Sequence, residues 1–91
     1  MSPRKGPSSA WPAWWQWELE VTPHVEQRME DREFTELDLR AMLHRALGFQ
    51  PDHMDGRFAI RTDHRGRPWH IIVEPDPEDR LLVVVTAYPL G

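Results

Sequence analysis

His24, Arg28 and Arg32 stand four residues apart, and on a helix that spacing gathers them into one stripe. An imidazole beside guanidinium groups can hold a phosphate and pass a proton to or from an attacking or leaving oxygen. The same stripe also suits a solvated face whose arginines pair with Glu26, Glu30, Asp31 or Glu36. A second grouping lies further along the chain. If Arg57–Asp63 and Pro68–Glu74 form a hairpin turning at Arg65-Gly66, Arg61 faces His70 across the ladder, and Thr86 on the next strand falls diagonal to His70. Arginine there would stabilise the charge of a phosphodiester, histidine would shuttle a proton and threonine would donate a hydrogen bond. An ordinary polar sheet face accounts for the same spacing.

His53, Asp55, Asp63 and His64 are the remaining groups with metal-binding chemistry. No two histidines have the i, i+4 spacing of helical ligands, nothing resembles a calcium loop, and the chain has no cysteine. No metal or other cofactor is therefore expected. Trp11, Trp14, Trp15 and Trp17 form a dense cluster, open to two readings: stacking on nucleic-acid bases, or partial burial in the core and against a partner.

These side chains must be positioned by elements that the sequence patterning predicts. Residues 1 to about 13 hold Pro3, Pro7 and Pro12 with Gly6, Ser8 and Ser9 and no apolar period, so they read as a disordered tail before a single domain over 14–91. From Trp14 the alternation of Trp15, Trp17, Leu19 and Val21 with polar residues predicts a half-buried strand. Thr22 as N-cap and Pro23 at the first helical position predict a helix to about Arg32. Thr35, with Asp38 three residues on, opens a second helix, along which Leu39, Met42, Leu43 and Ala46 make one apolar stripe. Gly48 is its expected left-handed stop, and Pro51–Gly56 a polar loop.

Three strands follow, at Arg57–Asp63, Pro68–Glu74 and Arg80–Tyr88. The expected fold is α+β: two N-terminal helices on one face of a roughly four-stranded antiparallel sheet, in the order β-α-α-β-β-β. A second hairpin pairing Glu74 with Arg80 would put Leu81, Val83 and Val85 on the helix-covered face and leave His70, Thr86 and Tyr88 on the other. The expected core is Leu19, Val25, Met29, Leu39, Met42, Leu43, Ile60, Ile71, Val83 and Val85.

Composition narrows the function classes. Ninety-one residues allow one small core. The absence of cysteine excludes a disulfide framework and a thiol nucleophile and fits a reducing, cytoplasmic setting. The longest apolar run, Leu81–Val85, is far short of a membrane helix, and the first residues lack a signal peptide's apolar segment. The formal net charge is −4, yet Arg57–His70 holds four arginines against Asp63, so one basic segment stands against an acidic first half.

The string His24-Val-Glu-Gln-Arg28-Met29-Glu-Asp-Arg32, a Thr35-capped helix and strands ending Val83-Val-Val-Thr86-Ala-Tyr88 resemble the small domains of unknown function grouped with RelE/ParE-like toxins. The likeness spans about residues 17–89 and extends to the wider barnase–EndoU–colicin–RelE fold. It implies a toxin of a toxin–antitoxin system, cleaving RNA without a metal, with His24, Arg28, Arg32 and Thr86 as the positions carried over. In such chemistry a base activates the ribose 2′-OH against the neighbouring phosphate and an acid protonates the leaving 5′-oxygen. His24 or His70 suits either role, with Arg61, Arg28 or Arg32 stabilising the phosphorane. An antitoxin, or a second copy of the chain, is the expected partner. A non-catalytic interaction module and a ParE-like topoisomerase inhibitor are the alternatives on the same fold.

Overall fold

The computed structural model describes residues 11–90; the expectation of a disordered tail over 1–10 lies outside them. Trp11, by contrast, is placed in the fold, with its ring 4.2 Å from that of Trp15 and 5.1 Å from that of Phe49. The expected strand from Trp14 begins instead as a single 3-10 turn, Ala13–Gln16, which buries Trp15. The chain then forms β1 (Glu18–Val21), α1 (Pro23–Arg32), α2 (Glu36–His44), β2 (Gly48–Pro51), β3 (Phe58–His64), β4 (Arg67–Asp76) and β5 (Leu81–Pro89). The fold is α+β, with a mostly antiparallel sheet of order β1-β5-β4-β3-β2.

Two features correct the expected four-stranded antiparallel sheet. β2 is a fifth strand, pairing Gly48 with Arg61 and Phe49 with Ile60. Gly48 does not stop a helix in the left-handed region: α2 has already closed at Arg45, whose N–H reaches the carbonyls of Ala41 and Met42. β1 runs parallel to β5, Leu19 opposite Leu82 and Val21 opposite Val84. That pairing follows from connectivity, because the two helices and three strands between them return the chain to the same edge.

Both helices begin as the sequence predicts. Thr22 Oγ1 accepts from the Val25 N–H at 3.3 Å. Thr35 and Asp38 exchange both bonds of a capping box, at 3.1 and 2.9 Å. The same kind of threonine chemistry ties each helix to the sheet. The Thr22 hydroxyl donates to the Val84 carbonyl at 2.9 Å, and buried Thr62 donates to the Met42 carbonyl at 2.5 Å, using an acceptor near the end of α2.

Val25, Leu39, Met42, Leu43, Ile60 and Ile71 are fully buried between helices and sheet. Leu19 and Met29 pack against that core from its margin. Val83 and Val85 do not belong to it: Leu82, Val84 and Ala87 point inward instead. The cause is the second hairpin. Asp76 Oδ1 accepts from the N–H groups of Glu78 and Asp79, at 3.1 and 3.4 Å, so the turn closes over Pro77–Arg80 with Asp76 opposite Leu81. Glu74 then meets Val83 rather than Arg80, an odd shift that exchanges the faces. A β-bulge at Val85 restores the parity, because Val73 pairs with Val84 but Ile72 with Thr86. His70, Thr86 and Tyr88 accordingly share the face away from the core, as the sequence implied, although Val83 and Val85 had to leave the core.

Candidate functional site

The face of the sheet opposite the helices carries a row of polar side chains on adjacent strands. Gly48 on β2 pairs with Arg61 on β3, Arg61 with His70 on β4, and His70 with Tyr88 on β5. Directly opposed residues in a ladder stand about 4.5–5.5 Å apart, so guanidinium, imidazole and phenol stems are immediate neighbours. The rings of His70 and Tyr88 meet edge to face, with centroids 5.9 Å apart. Thr86, opposite Ile72, is diagonal to His70 on the same face. Ile72 is only 4% exposed and Ala59 3%. These two form an apolar floor beside the row although no helix among the described residues covers this side.

Electrostatically the row is cationic within an acidic chain. The Arg61 side chain is exposed and makes no hydrogen bond or ion pair among the described residues. Its guanidinium lies against Gly48, in space that a Cβ would occupy. The two acids that flank the row along the strands are engaged by other arginines. Arg57 Nε meets Glu74 Oε1 at 2.9 Å, and Arg45 Nε meets Asp63 Oδ1 at 3.1 Å. Glu18 and Glu20 lie beyond Leu81 and Val83, on the far edge strand.

The helical stripe forms as predicted but stands apart. His24 and Arg32 are exposed on α1, and Arg28 approaches Asp31 only at 4.0 Å. α1 belongs to the layer that buries Val25 against the core side of the sheet. No described hydrogen bond, ion pair or ring contact joins His24, Arg28 or Arg32 to Arg61, His70 or Thr86. The two groupings are therefore separate surfaces, and one proton-transfer pair drawn from both His24 and His70 is not assembled.

Tyr88 is the member of the row absent from the sequence-derived site. Its parity with His70 was legible, but its place directly opposite depends on the bulge. Of the remaining candidates, His53 Nδ1 lies 3.4 Å from Asp52 Oδ1. His64 is buried beside Phe34 and Trp69, with ring centroids 6.4 and 5.6 Å away. Among the described residues no three histidine, aspartate or glutamate side chains converge as a metal site, and no helix is long and apolar enough to cross a membrane. Trp14 packs on Phe58 and Phe49, at 4.9 and 5.8 Å, which commits its ring to the protein.

A small α+β sheet domain with a polar row on its helix-free face is thus the class defined by fold and geometry. Over residues 21–89 the chain matches the family described as a domain of unknown function, DUF4258, and it belongs to that family. No curated protein and no solved structure matches the chain.

Proposed function

We propose that the domain is a metal-independent endoribonuclease of the RelE/ParE-like toxin class, working on the helix-free face of its sheet. The observation that carries the reading is the Arg61–His70–Tyr88 row with Thr86 beside it. RNA self-cleavage chemistry needs two proton movements and one charge stabiliser. The 2′-oxygen loses its proton and bonds to phosphorus, the bond from phosphorus to the 5′-oxygen breaks, and that oxygen takes up a proton, leaving a 2′,3′-cyclic phosphate. An imidazole exchanges protons readily near neutrality and a phenol both donates and accepts, so His70 and Tyr88 supply the two movements. Arg61 offers paired N–H groups to the phosphorane oxygens, and the Thr86 hydroxyl donates a further bond. The apolar floor of Ile72 and Ala59 lowers the local dielectric and strengthens each of these contacts.

The same face suits a regulatory partner. Leu81 and Val83 are half-buried between the row and the acidic edge formed by Glu18 and Glu20, so an antitoxin segment with apolar and basic side chains would cover both. Expression in cells with and without a candidate antitoxin, followed by RNA gels, tests the reading. His70→Ala and Arg61→Ala should protect RNA, with a loss of about 10²–10⁴ in rate for the histidine, while His24→Ala on the separate helix stripe should leave cleavage in place. If the parent leaves RNA and growth untouched, the enzyme reading falls and the interaction module replaces it. If His24→Ala protects RNA and His70→Ala does not, the site lies on α1.

A further inference from the structure

We infer that Arg45 is a positioning residue for this site: by occupying Asp63, it keeps the Arg61 guanidinium free for a phosphate. The inference rests on the ribonuclease reading for its purpose, but not for its geometry. Arg61 and Asp63 are both exposed and alternate with buried Thr62 and His64, so they share one face of β3. Side chains two residues apart on a strand stand about 6.5–7 Å apart at the backbone. That is within reach of a salt bridge between an arginine and an aspartate. The pair is nevertheless not formed.

What prevents it is visible at the edge of the sheet. β2 accompanies β3 only as far as Arg61, so the edge at Asp63 has no strand beside it. Arg45, the residue closing α2, fills that place. Its Nη2 donates to the Asp63 backbone carbonyl at 2.7 Å and its Nε to the carboxylate at 3.1 Å. One guanidinium thereby caps an open strand edge and neutralises the acid nearest the site. Arg61 meanwhile folds the other way, over the bare Cα of Gly48, where any side chain would displace it. Removing Arg45 releases an unpaired carboxylate beside the Arg61 guanidinium, and Arg61 would turn to it.

The test uses Arg45→Ala, Asp63→Asn and the double variant in the full chain, with Arg61→Ala as reference. The first readout is anisotropy of a fluorescein-labelled 2′-O-methyl oligouridylate hexamer, which binds without being cut. Arg45→Ala should weaken binding about twofold to fivefold, the factor of an exposed ion pair competing for the guanidinium. Asp63→Asn alone should bind at least as well as the parent, and adding it to Arg45→Ala should restore binding. The second readout needs no RNA: the Arg61 Nε–H resonance should move in Arg45→Ala and return in the double variant. A merely structural Arg45 would not be rescued by removing its own partner. A double variant that stays as weak as Arg45→Ala, or an Arg61 resonance indifferent to both changes, overturns the inference. If instead the resonance behaves as stated but parent and Arg61→Ala bind the hexamer alike, Arg45 still holds Asp63 from Arg61 and the ribonuclease reading is what fails.

Discussion

Replacing Leu82 by alanine, and separately its neighbour Leu81, measures the register on which the site depends. Leu82 is wholly buried opposite Leu19, whereas Leu81 is half-buried on the face of His70 and opposite Glu18. Truncating a buried leucine loses its transfer free energy and leaves a cavity, together about 2–5 kcal/mol. Leu82 packs between two layers in a core that includes Val25, Leu39 and Val84, with little room to collapse, so about 3–4 kcal/mol is expected. Leu81 stays partly in water in the folded state and should cost about 1 kcal/mol or less. A domain of this size has about 5–15 kcal/mol in all, so Leu82→Ala remains folded but marginal. Urea unfolding followed by fluorescence of the five tryptophans provides the assay. At a slope of about 1.5 kcal/mol per molar, the Leu82 midpoint should fall by about 2 M and the Leu81 midpoint by about 0.5 M. Equal losses, or a larger loss for Leu81, would refute the turn at Pro77–Arg80 and with it the placing of Leu81 and Val83 beside the site.

Thr22→Ala removes both a helix cap and the bond to the Val84 carbonyl, and should lower stability by about 1–2 kcal/mol in the same assay, with Thr22→Ser recovering most of it. Glu33 closes α1 in the left-handed region at φ 56°, so Glu33→Gly should raise stability by about 0.5–1 kcal/mol in the same assay. The Thr35 N–H is the largest influence holding the Asp38 carboxyl below its ordinary value of 3.8; desolvation, second in size, opposes it, and the Thr35 hydroxyl bond and the fields of His64 and Arg65 add to the lowering. A depressed carboxylate stabilises the fold above its unfolded pKa and loses that contribution as pH falls through the folded one. The melting-temperature gap between parent and Asp38→Asn should therefore be full near neutrality and close below pH 3.8; a gap constant down to the acid limit would contradict the capping box.

How far the fold was legible follows from the range of the interactions concerned. Both helices and their caps were readable because a threonine, a proline and a carboxylate within four residues decide them. The first hairpin was readable because Arg65-Gly66 is a two-residue turn, with both residues at positive φ, and it placed Arg61 opposite His70 correctly. The second hairpin was not, since Pro75-Asp-Pro-Glu-Asp79 admits several closures; the one formed has the Asp76 carboxylate over the turn and Arg80 at positive φ. β2 was missed because four residues ending in proline, between a glycine and a polar loop, carry no period of their own. Phe49 becomes a strand residue by packing against Trp11, Trp14 and Phe58.

Sequence alone determined the residue types that can do chemistry, the helical stripe of His24, Arg28 and Arg32, and the pairing of Arg61 with His70, because each depends on spacing within one helix or one tight turn. Only the tertiary structure decided that stripe and pair occupy different layers, that Tyr88 completes the row, and that Asp63 is held by Arg45. Those outcomes rest on a bulge, an edge left open where β2 ends, and the layer in which α1 packs. Such features arise from competition between distant segments for the same hydrogen bonds and buried surface, and periodicity along the chain does not encode them.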